Sequence, residues 1–257
     1  RSKEVKAIIG AHPEKKQHNA GPASNYGDEK KLRYVLAENN ITLFLNTRAN
    51  SVEMKGDHIA AVTGQDIRTG EKIKVSGRIF ADGNLGALAN ADFRIGRESR
   101  DQTQEKLAPS VEDSVVMGTS VQWNTKVGEE VSGFPKTPWA IGFTDETCVK
   151  ATHGDWNWET GFRLNHATQM EEIRDYALRV VFGNWGVLKN NPHPNWKKKF
   201  GKRKLNWVAY IGGKRESRRL MGEVILKQQD IVERKSYPDA SVTTTWSIDL
   251  HYPRKPV

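Results

Sequence analysis

Apolar residues recur at helical spacing in one stretch of the chain. From Gln169 to Phe182, the residues Met170, Ile173, Ala177, Val180 and Val181 follow the i, i+3, i+4, i+7 rule, and Glu171, Glu172, Arg174 and Asp175 face outward. Thr168 stands where a cap is needed. A helix capped by Asp28 is expected through Lys31, Leu32, Val35 and Leu36, ending near Asn39-Asn40, and another from Ser217 to Val232. Between them the pattern turns to strands. Ile41-Thr42-Leu43-Phe44-Leu45-Asn46-Thr47 is almost continuously apolar and predicts a strand buried on both faces. Asn50–Met54 and His58–Ile67, on either side of Lys55-Gly56-Asp57, predict a hairpin. Arg68-Thr69-Gly70-Glu71 then turns into the alternating Lys72-Ile73-Lys74-Val75. Arg78–Asp82 reads as a short strand, followed by Gly83-Asn84-Leu85-Gly86 and the small-residue helix Ala87–Ala91. Residues 101–150, with Pro109, Pro135 and Pro138, read as irregular or β-rich. Leu205–Ile211 and Val242–Leu250 are strand candidates, and polar residues 1–27 read as loop.

Composition narrows the class. Within 257 residues, 37% hydrophobic with 8 Trp, 8 Phe and 6 Tyr, there is apolar surface enough for a real core, in one large domain or two modest ones. No apolar run approaches the roughly 20 residues of a membrane span. The single Cys148 excludes an internal disulfide framework and a cysteine-cluster metal site. The histidines show no metal-ligand spacing. No targeting signal is evident, which leaves cytoplasm and periplasm both open. The net charge of +9 favours anionic partners, and six basic residues fall within Lys197–Lys204. That cluster follows the loop Asn190–Asn195 and is expected on a solvated surface; the alternative is a patch for phosphate or acidic polysaccharide. No nucleic-acid motif accompanies it, so nucleic acid is the least favoured partner.

Four constellations carry candidate chemistry. Asp82-Gly83-Asn84-Leu85-Gly86 puts glycines after a strand, where a backbone can approach a pyrophosphate, although a plain turn looks the same. Gly213-Lys214-Arg215-Glu216-Ser217-Arg218-Arg219 places arginine forks on one helix face, suited to a carboxylate or phosphate, or else opens an exposed helix. Trp156-Asn157-Trp158-Glu159 can form a stacking wall with a carboxylate beside it, or place an indole in the core. In Thr245-Trp246-Ser247-Ile248-Asp249-Leu250-His251, alternation puts Asp249 and His251 on one face, as an oriented general base or a solvated histidine.

Taken in order, these residues resemble a known family. Asn40–Thr47, Ile59-Ala60-Ala61-Val62, Thr69-Gly70-Glu71, Phe80-Ala81-Asp82, the run Gly83–Ser99, Trp156–Glu159, Gly213–Gly222 and Thr245–His251 together are similar to a bacterial family of FAD-dependent oxidoreductases. The family is of the glutathione-reductase-like flavoprotein class, often encoded near carbohydrate-degradation genes. The resemblance covers most of the chain from about residue 30 onward. Its members open with a Gly-x-Gly-x-x-Gly unit and close with a second Gly-rich segment, so this chain is expected to be the interior of such a protein. Asp82 also runs directly into Gly83, where members carry a Cys-Thr-Gly-Asp type insert.

The resemblance implies an α/β chain: part of a Rossmann-like FAD-binding domain with a β-meander over 28–96, and a mixed-sheet substrate-facing domain over 97–257. It implies FAD, with hydride passing to the flavin from an anionic or carbohydrate-related small molecule. Asp82, Gly83, Asn84 and Gly86 are the cofactor candidates. On residue chemistry, His251 is the base candidate, Arg215 and Arg218 grip an anion, Glu216 orients them, and Trp156, Trp158 and Glu159 line the substrate. The competing expectation is a non-catalytic module for acidic carbohydrate or another polyanion. Oligomeric state is left open.

Overall fold

In a computed structural model, residues 28–81, 85–154, 157–240 and 248–252 are described. The first elements are helix α1 (Asp28–Leu36), strands β1 (Thr47–Lys55), β2 (His58–Asp66) and β3 (Lys72–Ser76), α2 (Leu85–Leu88), β4 (Phe93–Arg94) and α3 (Arg100–Thr103). Next come β5 (Thr119–Ser120), β6 (Trp123–Val127), β7 (His153–Gly154), β8 (Glu159–Thr160) and the long α4 (Met170–Asn190). The chain continues with α5 (Pro194–Phe200), β9 (Arg203–Val208), β10 (Arg219–Leu220) and α6 (Gln228–Val232). Helices thus mix with sheets whose strands all pair antiparallel, an α/β composition. Among the described residues no helix is long and apolar enough to cross a membrane.

The described residues divide into two compact units. The second unit, 33–113 and 218–240, is built on the meander β1-β2-β3. Its turns fall where glycine allows a left-handed backbone, at Gly56 (φ +63) and Gly70 (φ +77), so the expected hairpin forms with Lys55 opposite His58. Asp66 closes the second turn by accepting from the Arg68 and Thr69 N–H groups, which hold its carboxyl below the usual range. β4 pairs with β10, bringing Phe93 opposite Leu220.

The first unit contains residues 28–32, 114–154, 157–217 and 248–252. In it β6 lies between β7 and β9, and α4 packs beside this sheet and the β5–β8 pair. Trp123, Val181, Trp185, Leu188 and Phe200 form the buried centre, with Trp185 edge-on to Phe200 at 6.2 Å. The expected inner face of α4 is confirmed: Ile173, Ala177, Val180 and Val181 are buried. The helix runs on to Asn190, and Gln169 precedes it in place of the expected Thr168 cap, with no side-chain cap bond.

Several local expectations are corrected. Residues 41–46 form no strand and Leu45 is 57% exposed; the sheet begins only at Thr47, after Asn46 takes a left-handed turn (φ 54). Residues 78–81 are also irregular, since no neighbouring strand pairs with them. The helix expected over Ser217–Val232 is reduced to α6, because Arg219 is drawn into β10 by Glu98 and the Gly96 carbonyl, partners more than a hundred residues away. The lysine cluster stands largely on α5, with Pro194 at the first turn and the His193 ring accepting from the Asn195 N–H. Of the strand expected over Val242–Leu250, residues 241–247 lie outside the described residues and 248–250 are not in a strand.

Candidate functional site

Strand β8 supplies the central carboxylate, and the residue beside it explains its placement. Thr160 turns inward, its hydroxyl near the Thr119 and Ile173 carbonyls at 3.4 and 3.5 Å. Gly161 follows with φ +78, and a Cβ there would run into the Ile173 side chain, so β8 can lie close over α4 only with glycine at this position. Buried His166 ties the same corner together, through Gly161 O at 2.8 Å and the Thr119 hydroxyl at 3.3 Å. With Thr160 facing the core, the alternation of the strand turns Glu159 to the other face.

On that face Glu159 is held from two sides. The Arg215 Nη1 donates to Glu159 Oε1, and the His251 Nδ1 lies 3.1 Å from the same oxygen. The other imidazole nitrogen, Nε2, is 2.8 Å from Asp249 Oδ2, although residues 248–251 are not in a strand. Glu159 is the most enclosed of the four, its side chain 10% exposed, against 25% for Arg215 and His251 and 54% for Asp249. The two carboxylates meet opposite edges of the ring and do not converge on a common point. Among the described residues no cluster of three or more His, Cys, Asp or Glu side chains is arranged to hold a metal ion. Glu216 accepts the Met117 N–H at 2.8 Å, which anchors the segment carrying Arg215 to the irregular segment leading into β5.

Ser120 is a member of this site that the sequence did not single out. It pairs with Glu159 in the β5–β8 register and with Gly213 in an isolated bridge, so its side chain shares the Glu159 face. Its hydroxyl is buried without a hydrogen-bond partner. No motif marks such a serine; the strand register alone brings it here. Trp158 packs on Phe143 with ring centroids 4.8 Å apart, and its indole N–H is likewise buried and unpartnered. Arg218 belongs to the second unit and lies over the Phe93 ring at 5.0 Å. Trp156, Asp82, Gly83 and Asn84 lie outside the described residues.

The flavin expected from the resemblance can be tested against Gly86. A pyrophosphate cradle needs open space over the glycine, but a Cβ on Gly86 would meet the Leu220 side chain. Gly86 therefore serves the packing of α2 on β10, and its helix has only four residues. Gly86 thus offers no pyrophosphate cradle, and Asp82, Gly83 and Asn84 lie outside the described residues.

Comparison with known proteins adds the family. No curated protein and no solved structure matches the chain. Residues 27–256 match the family described as FAD dependent oxidoreductase, which covers nearly the whole length. The chain belongs to the FAD-dependent oxidoreductase family, whose cofactor is FAD.

Proposed function

We propose that residues of the first unit form the substrate-facing site of an FAD-dependent oxidoreductase acting on a small, hydroxyl-bearing, anionic molecule. The observation that carries this reading is the Glu159 carboxylate shared by Arg215 and His251. One enclosed group fixes two side chains of different chemistry. Of the Arg215 guanidinium, Nη1 is engaged, and its Nε and Nη2 meet no partner among the described residues, which leaves that edge to take a carboxylate or phosphate of the substrate. His251 receives the proton. Glu159 sets the ring orientation through Nδ1, and Nε2 becomes the accepting atom once a substrate hydroxyl displaces the exposed Asp249. Trp158 forms a flat wall next to Glu159, and Glu216 positions Arg215 through the backbone. In this reading residues 97–257 face the substrate, and 28–96 belong to a Rossmann-like FAD side.

The first test is the visible spectrum of the purified chain incubated with FAD, followed by a screen of hydroxy acids and acidic sugars for anaerobic bleaching. With a bleaching substrate, His251→Gln is expected to slow flavin reduction by about 10²–10⁴-fold. An unchanged rate assigns proton removal elsewhere.

A further inference from the structure

We propose that the α5–β9 end of the first unit is a docking face for an acidic polysaccharide, independent of the Glu159 site. Lys197, Lys198 and Lys199 stand exposed on α5, and Lys202 and Lys204 follow at the start of β9. Across the ribbon, Lys126 on β6 is the register partner of Lys204, both exposed. Like charges placed directly opposite on paired strands destabilise a sheet, so this register is costly unless an anion neutralises it.

Nothing among the described residues neutralises it. Among the described residues none of these lysines has a carboxylate within ion-pair distance, whereas Arg94, Arg97, Arg174 and Arg219 elsewhere each meet one. Glu129 and Glu130 lie on the adjoining loop, which is tied to this end through the Gly128 and Ser132 N–H groups donating to the Lys202 and Gly201 carbonyls. The accumulated charge reaches inward: burial first, and Lys204 second, hold the Lys189 amine below the usual lysine range. The lysines at the end of α5 also suit its helix dipole, but that accounts for none of Lys126, Lys202 and Lys204.

The display is rigid. Phe200 and the half-buried Trp196 fix the inner side of α5, and Lys189 Nζ caps its end through the Phe200 and Gly201 carbonyls. Lys199 is held to the Lys150 carbonyl at 2.8 Å. The aromatic faces of α5 are taken: Lys150 covers Trp196, and Trp196 meets Phe200 edge-on. Trp207 pairs with Asn124 across a bulge at Asn206 and so shares the exposed face of Lys126 and Lys204, where a single indole suits the flat side of a sugar ring. Single-stranded nucleic acid draws on stacking of successive bases and finds one exposed ring here, not a row of them. Sulfate or carboxylate groups along a polysaccharide need only the charges.

The test measures binding of size-defined heparin oligosaccharides to the full chain across a range of salt. Binding is expected to weaken steeply as salt rises. Lys126→Gln/Lys198→Gln/Lys204→Gln is expected to lower affinity by about tenfold or more and to flatten the salt dependence. Lys55→Gln/Lys72→Gln/Lys136→Gln, with the same change of net charge, is expected to leave affinity within about twofold. If the ribbon variant does not fold, Lys198→Glu alone on the exposed side of α5 must weaken binding in the same direction. Equal losses in the ribbon and control variants overturn the proposal, because binding then follows net charge. So does no binding at low salt, or tighter binding of duplex or single-stranded DNA than of heparin.

Discussion

Glu159 is where residue chemistry concentrates. Its one oxygen meets both a guanidinium and an imidazole nitrogen, so replacing the carboxylate with an amide removes two charge-assisted bonds while keeping the shape. Glu159→Gln is expected to lower stability by about 1.5–3 kcal/mol, read by denaturant unfolding of the first unit. Arg215→Lys is a different test. It keeps the charge and loses the fork, so KM for an anionic substrate is expected to rise by about tenfold or more while the folded structure is retained. An unchanged KM removes Arg215 from anion recognition. The residues Arg215, Glu159, Asp249 and His251 were all legible as chemistry. Their grouping was not, since Arg215 and His251 lie 56 and 92 positions from Glu159.

At the scale of the element, α4 shows how tertiary packing overrides local preference. Its first turns carry an unambiguous apolar stripe, but Gly183, Asn184 and Gly186 look like the end of a helix. The helix continues because each is used. Asn184 is buried and bonds both the Val149 N–H (2.7 Å) and the Val149 carbonyl (3.2 Å), taking the place of a strand partner. A Cβ on Gly183 would run into the Ile141 backbone. Beyond them Trp185 and Leu188 reach the core. Gly183→Ala therefore sets two effects against each other. Alanine favours helix by about 1 kcal/mol, while overpacking against a backbone that cannot rotate aside costs about 1–3 kcal/mol. The clash wins, and a lowered Tm is expected; a raised Tm would show that the Ile141 loop moves freely. Residues 41–46 make the opposite point, for an apolar run without a neighbouring strand stays irregular.

For the whole molecule, charge sets the pH response. In the second unit Glu98 receives Arg219 and Arg94. Burial alone would raise its carboxyl, but the Arg219 bond, its own N–H and Arg94 outweigh burial and hold it below the usual 4.5. Asp66 and Asp230 are lowered too, each first by a backbone N–H, from Arg68 and from Lys227. A carboxyl with a folded pKa below its unfolded one stabilises the fold above the unfolded value and loses that contribution as pH falls through the folded value. The second unit is thus expected to hold its stability near neutral pH and lose it progressively below about 4.5. Glu98→Gln should flatten that acid slope in denaturant melts at neutral pH and near pH 3, and an unchanged slope would show that Glu98 does not contribute.

What the sequence determined by itself is local. Gly56 and Gly70 set the turns of the meander, and the stripe from Ile173 to Val181 chose the inner face of α4. The mixed α/β class and the family were also written in the order of short motifs. Only the tertiary structure decided that Ser217–Val232 would not be one helix, because Arg219 found Glu98 across the chain. It alone placed Ser120 beside Glu159, and Lys126 opposite Lys204. The physical reason is common to all three. Local patterns fix backbone conformation within a few residues, whereas strand register and long-range ion pairs depend on which distant segments the core brings together.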